Sequence, residues 1–114
     1  MQVQFNSDSS VMGTENVARR IENQLRERLS RFEDRLTRLE VHVRDENGPK
    51  GGNDDKACTI EARIRGGKPI GVTAHADKVD DAARKAASTL AQRLERHFGK
   101  SERHRHDPSP DKVI

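Results

Sequence analysis

The sequence predicts an α+β domain in the order β-α-β-β-β-α, a four-stranded sheet with two helices packed on one face. Three observations predict it. Apolar residues recur at helical spacing in two stretches and alternate with polar residues in four others. The chain has 114 residues, enough for one hydrophobic core and too few for two. Each predicted strand has one dry face and each predicted helix one dry stripe, so two helices over one sheet face satisfy every pattern.

Val3 and Phe5 alternate with Gln2, Gln4 and Asn6, which predicts a short first strand. Asn6 to Gly13 is turn-rich, and the hydroxyl of Thr14 suits an N-cap. Val17, Ile21, Leu25 and Leu29 then recur every four residues, with Phe32 three later, predicting a helix over residues 15–32. Beyond Leu36 the period becomes two: Leu39, Val41 and Val43 alternate with charged residues and His42. A right-handed crossover should join the first strand to this one. Glu46 to Lys56 reads as a loop. Cys58, Ile60, Ala62 and Ile64 mark a third strand, and Ile70, Val72, Ala74 and Ala76 a fourth. Gly66-Gly67-Lys68-Pro69 closes these two into a hairpin. The helical period returns with Val79, Ala83, Ala86, Leu90, Leu94 and Phe98, and Gly99 is a suitable stop. The domain is therefore drawn at residues 1–99, with a basic tail at 100–114 that its two prolines and polar content predict to be disordered.

Composition narrows the functions available. Charged residues make up 36% against 31% hydrophobic, with a mean hydropathy of -1.02. Three phenylalanines with no Trp or Tyr argue against stacking on exposed bases and against a bulky apolar ligand pocket. No apolar run approaches the roughly 18 residues of a membrane helix, and the first residues do not resemble a secretory signal. A single cysteine, Cys58, forms no internal disulfide and suits a reducing compartment, so a cytoplasmic location is expected.

The charge is polarised. From Arg84 to His106 there are seven bases against two acids, +5 of a chain total of +3, which leaves −2 for the remainder. Lys85, Arg93, Arg96 and Lys100 fall within about 80° of one another on a helix. Arg20, Arg28, Arg31 and Arg35 repeat the spacing in the first helical stretch. Two aligned basic ridges would meet backbone phosphates at several points, and Arg63 and Arg65 could assist from the wet side of the sheet. The competing reading is that Glu15, Glu22, Glu27 and Glu33 neutralise the first ridge through neighbouring pairs.

Other groups point to structure rather than chemistry. Cys58 occupies an apolar strand position and reads as a packed thiol. His42 and His75 fall on wet strand faces. His104-Arg105-His106-Asp107 lacks further ligands at the spacing a closed metal site needs. Gly66-Gly67-Lys68 lacks the G-x-x-x-x-G-K-[ST] frame of a phosphate loop. No nucleophile, base and orienting acid can be named together. The expectation is a protein that is not an enzyme and takes no cofactor, metal or small-molecule substrate.

The opening strand Met1-Gln2-Val3-Gln4-Phe5, the Thr14 start with Val17, Ile21 and Leu25 behind it, and Ala82-Ala83 followed by Leu90, Leu94, Arg96 and Lys100 carry a resemblance. Over residues 2–104 the chain resembles the ribosome hibernation promoting factor (HPF/RaiA) family, also called sigma-54 modulation proteins. It departs from the family's usual pattern at Thr89, at Gln92-Arg93 and in the spacing Leu25-Arg26-Glu27-Arg28-Leu29. The resemblance implies a layout related to double-stranded RNA-binding domains, with Arg96 and Lys100 at family basic positions. It further implies a translation-inhibiting factor that binds small-subunit ribosomal RNA in the channel for messenger and transfer RNA. The expected partner is thus the small subunit or whole ribosome, and no membrane. Two alternatives stand beside it: a general structured or double-stranded RNA-binding module, and a protein-interaction stress regulator acting away from the ribosome.

Overall fold

Alternating side chains in four segments give the strands β1 (Gln2–Ser7), β2 (Leu36–Asp45), β3 (Lys56–Ile64) and β4 (Ile70–Ala76), and two amphipathic segments give α1 (Glu15–Arg28) and α2 (Val79–His106). The computed structural model describes residues 1–7, 15–46 and 56–106, with side chains throughout except at residue 15 and at 100–106. The sheet order is β1-β2-β3-β4. β1 runs parallel to β2, in register Val3↔Leu39 and Phe5↔Val41, and the remaining pairs are antiparallel. The expected α+β arrangement is therefore present, as a mixed sheet.

Leu39, Val41, Val43, Cys58, Ile60, Ala62 and Val72 point to one side of the sheet and are buried there against Ile21, Leu25, Leu90 and Leu94. Ala82, Ala83, Ala86, Ala87 and Ala91 make most of the buried face of α2. Such small side chains bring the helix axis close to the sheet, and Ile21, Leu25 and Leu29 with Leu39 and Ile60 fill what remains. Val3, Phe5 and Val17 pack at the margin of this core, half-buried.

Three boundaries differ from the sequence reading. The first helix ends at Arg28 rather than residue 32, and a 3-10 helix, Ser30–Arg35, follows. Leu29 N–H still donates to the Leu25 carbonyl (2.9 Å), but Phe32 N–H donates only three residues back, to Leu29 (3.0 Å). The tighter winding buries Phe32 and delivers Leu36 to the core. Next, Leu36 and Leu39 are three apart yet both fully buried, because the β2–β3 register shifts between Leu36 and Arg38. Finally, Gly99 does not stop α2, which runs to His106 and so crosses the boundary drawn between domain and tail. A mid-helix glycine costs only about 1 kcal/mol relative to alanine, and the six residues after it carry no proline. The Thr14 cap, the loop residues 47–55 and the last residues, 107–114, lie outside the described part.

In the hairpin, Gly66 adopts φ +73°, a conformation that side chains resist, and Gly67 N–H donates to the Ile64 carbonyl (3.1 Å). Cys58 is fully buried in the core. Burial pushes its thiol up to about 12, against a weaker opposing pull from Arg44.

Two outcomes follow for stability. Leu25→Ala and Leu90→Ala should each lower unfolding free energy by about 2–5 kcal/mol in urea titration, since both are fully buried. Cys58 binds its proton more tightly folded than unfolded. Stability should therefore fall as pH rises from 9 toward 12, and Cys58→Ala should flatten that part of the profile. An unchanged slope in the alanine variant would assign the loss to other groups.

Candidate nucleic-acid interface

The two helices lie side by side and point the same way, as their cross-links advance together. Arg20 Nη2 meets Asp80 Oδ2 at 3.0 Å, Arg28 Nη2 donates to Ser88 Oγ at 3.0 Å, and Arg31 Nη2 lies 3.5 Å from Glu95 Oε1. The bases expected to form the first ridge thus turn toward α2. Their partial neutralisation comes from the facing helix rather than from neighbours on their own. The local pair seen in α1 is Arg26 with Glu22, at 3.0 Å. Because the α-helix stops at Arg28, Arg31 and Arg35 belong to the 3-10 helix, and the even spacing of a single ridge is broken there.

On α2, Lys85 Nζ donates to the His75 carbonyl (3.2 Å) and Arg93 Nη1 to the Gly71 carbonyl (3.3 Å). Both carbonyls belong to β4, an outer strand of the sheet. The two bases therefore sit over an open edge and occupy acceptors that another strand would need. Arg96 is exposed, and among the described residues it has no hydrogen-bond or ion-pair partner. Lys100 lies on the same helix, its side chain outside the described part. Arg84, a base the ridge reading passed over, pairs with Asp81 and borders a cleft of about 420 Å³ between the helices with Gln24, Glu27 and Arg28.

Arg63 is elsewhere. It lies on the sheet face away from the helices, where Glu40 and Glu61 stand directly opposite each other on β2 and β3. Like charges so paired repel, and arginines on the same strands offset them. Arg38 lies 2.7 Å from Glu40, and Arg63 lies 3.2 Å from Glu61 and 3.8 Å from Glu40. Around them Arg44 meets Glu46 (3.2 Å) and His75 meets Glu46 (3.1 Å). This face is polar and charge-balanced, so Arg63 does not extend the helical ridges.

Arg65 is at the end of the molecule. Its Nε donates to the Asp34 carbonyl (3.3 Å). Nearby, the Arg31 guanidinium lies 4.8 Å from the Phe32 ring centroid and that of Arg35 lies 4.7 Å from the Phe98 centroid. The two rings are 5.8 Å apart, and His97 is edge-on to Phe98 at 5.1 Å. The sequence showed Arg35 only as the last member of a ridge; the 3-10 helix that carries it to Phe98 has no periodic signal. Among the described residues, no group of three His, Cys, Asp or Glu could hold a metal ion, and no helix is long and apolar enough to cross a membrane.

The class these features define is a small α+β domain with two parallel helices on a mixed sheet and an arginine-rich helical face. The chain belongs to the family described as sigma 54 modulation protein / S30EA ribosomal protein, which matches residues 9–102. The N-terminal domain of Protein Y from Thermus thermophilus has the same fold. Its crystal structure superposes with a TM-score of 0.68 at 18% identity, covering 85% of this chain and 99% of that one. A ribosomal subunit interface protein from Coxiella burnetii gives 0.65 at 15% identity, covering 87% and 99%. No curated protein sequence matches.

The edge caps can be checked directly. Lys85→Ala with Arg93→Ala should change stability by less than about 1 kcal/mol while increasing concentration-dependent self-association in sedimentation velocity. A double variant as monomeric as its parent would show that these bases do not guard β4.

Proposed function

We propose that this protein is a ribosome-associated factor that binds small-subunit ribosomal RNA in the messenger and transfer RNA channel and holds translation off. Family membership over residues 9–102 is the observation that carries the reading. The two structural neighbours, a Protein Y domain and a ribosomal subunit interface protein, agree with it. The charge layout supplies the means. α2 begins with Asp80 and Asp81 and becomes basic toward its C-terminal end, through Arg93, Arg96 and Lys100, an order that also suits the helix dipole. Exposed guanidinium groups there can pair with phosphates in fork geometry. Arg28 and Arg31, partly engaged by Ser88 and Glu95, flank them on the neighbouring elements. Recognition of this kind reads shape and backbone charge, with no part for catalysis, a cofactor or a metal.

Sedimentation with ribosomes and separated subunits tests the reading. The protein should travel with the small subunit or whole ribosome at low salt. A fourfold rise in salt should weaken binding on the order of a hundredfold, as four or five phosphate contacts require. Arg93→Glu, Arg96→Glu and Lys100→Glu together should leave the protein at the top of the gradient. Wild-type protein that stays there at both salts, or that prefers isolated RNA hairpins, would remove the ribosome from this account.

A further inference from the structure

We propose that the cleft at the end of the helical layer is a second, separate binding site, one that takes the phosphate of a single nucleotide. It opens between the Arg65–Gly67 turn, the Asp34–Arg35 end of the 3-10 helix and His97–Phe98 of α2, with a volume of about 360 Å³. The ligand identity rests on the RNA-binding reading; the site itself rests on its own geometry.

Arg65 is the principal donor. Its Nε is committed to the Asp34 carbonyl at 3.3 Å, which fixes the guanidinium plane at the rim of the cleft. Its backbone is fixed as well, Arg65 N–H donating to the Arg35 carbonyl at 2.9 Å. A guanidinium anchored through Nε presents its terminal nitrogens as a fork, the geometry that matches two oxygens of a phosphate. Arg35 brings a second guanidinium, oriented by stacking on Phe98 at 4.7 Å. His97, exposed and edge-on to the same ring, adds an imidazole donor. One carboxylate, Asp34, borders the cleft and sets a limit on its positive charge. Ile64 and Phe98 form an apolar wall. The volume falls at the small end of the range for ligand pockets, about 300–1,000 Å³. Two guanidinium groups, an imidazole and an apolar wall suit a phosphate with its attached sugar and base. Arg96 is one residue before His97, so a nucleic-acid backbone following α2 to its basic end arrives at this cleft.

The free protein, without ribosomes, provides the test. Amide resonances are followed by two-dimensional NMR as inorganic phosphate, uridine 5′-monophosphate or a short single-stranded RNA is added. All three should move Arg65, Gly66, Gly67 and His97 together, with affinity rising from phosphate to nucleotide to RNA. Arg65→Gln should weaken nucleotide binding by about tenfold, as expected for loss of a charge-assisted hydrogen bond, with a spectrum otherwise like the parent's. Asp34→Asn, which removes the opposing charge, should strengthen it. Nucleotide shifts confined to the helix faces around Arg93 and Arg96 would overturn the site, as would an Arg65→Gln variant that binds like its parent. Phosphate binding as tightly as the nucleotide would overturn the ligand class. Because ribosomes are absent, a failure here leaves the sedimentation result standing, and a failure there leaves this one standing.

Discussion

The close seating of α2 on β3 and β4 is the contact on which the rest of the structure depends. Its buried face is mostly alanine, interrupted by Leu90 and Leu94, and small side chains give the helix a short standoff that larger ones would forbid. That standoff leaves room for α1 beside it and gathers the apolar strand residues, Ala57 apart, on one side of the sheet. With 31% hydrophobic residues, the chain has little apolar surface to distribute. Concentrating it on a single interface is what allows so polar a sequence to fold.

A consequence is that the cations of the helical layer serve the fold before they meet any ligand. Arg20 and Arg28 tie α1 to α2, while Lys85 and Arg93 cover carbonyls of the open β4 edge. Exposed contacts of this kind are individually worth little, roughly 0–1 kcal/mol. A phosphate that attracts one of these side chains therefore displaces only a weak partner. The sheet's opposite face shows the contrasting arrangement, since Arg38 and Arg63 are held among the glutamates that need them.

Most of the fold was legible in the sequence because period two and period four are direct readings of which side chains share a face. Leu39, Val41 and Val43 alternate and form a strand; Ile21, Leu25 and Leu29 recur every four and share a helical stripe. What escaped was each feature that breaks period. The 3-10 helix at Ser30–Arg35 winds too tightly for α spacing, and the register shift near Arg38 turns Leu36 inward against the alternation. Gly99 looked like a terminus because glycine is common there, yet its cost inside a long helix is small. The site was legible only in part. Periodicity places a base on an exposed face, but it cannot say whether a glutamate on another element, such as Glu95 opposite Arg31, already meets it. The cluster around Phe98 joins residues from three distant segments, and no local pattern carries that information.

The parallel pairing of β1 with β2 has a temporal side. Gln2 pairs with Arg38, and Ser7 with Val43, whereas β2, β3 and β4 follow one another as antiparallel neighbours. During synthesis at about 5–20 residues per second, β1 is complete roughly 2–7 s before the residues of β2 that pair with it have been made. Its own seam to the core, through Val3 and Phe5, stays incomplete until α1 has formed and β2 has arrived. β1 thus waits for its partner strand through that interval, whereas β2, β3 and β4 each join a neighbour that has already been made.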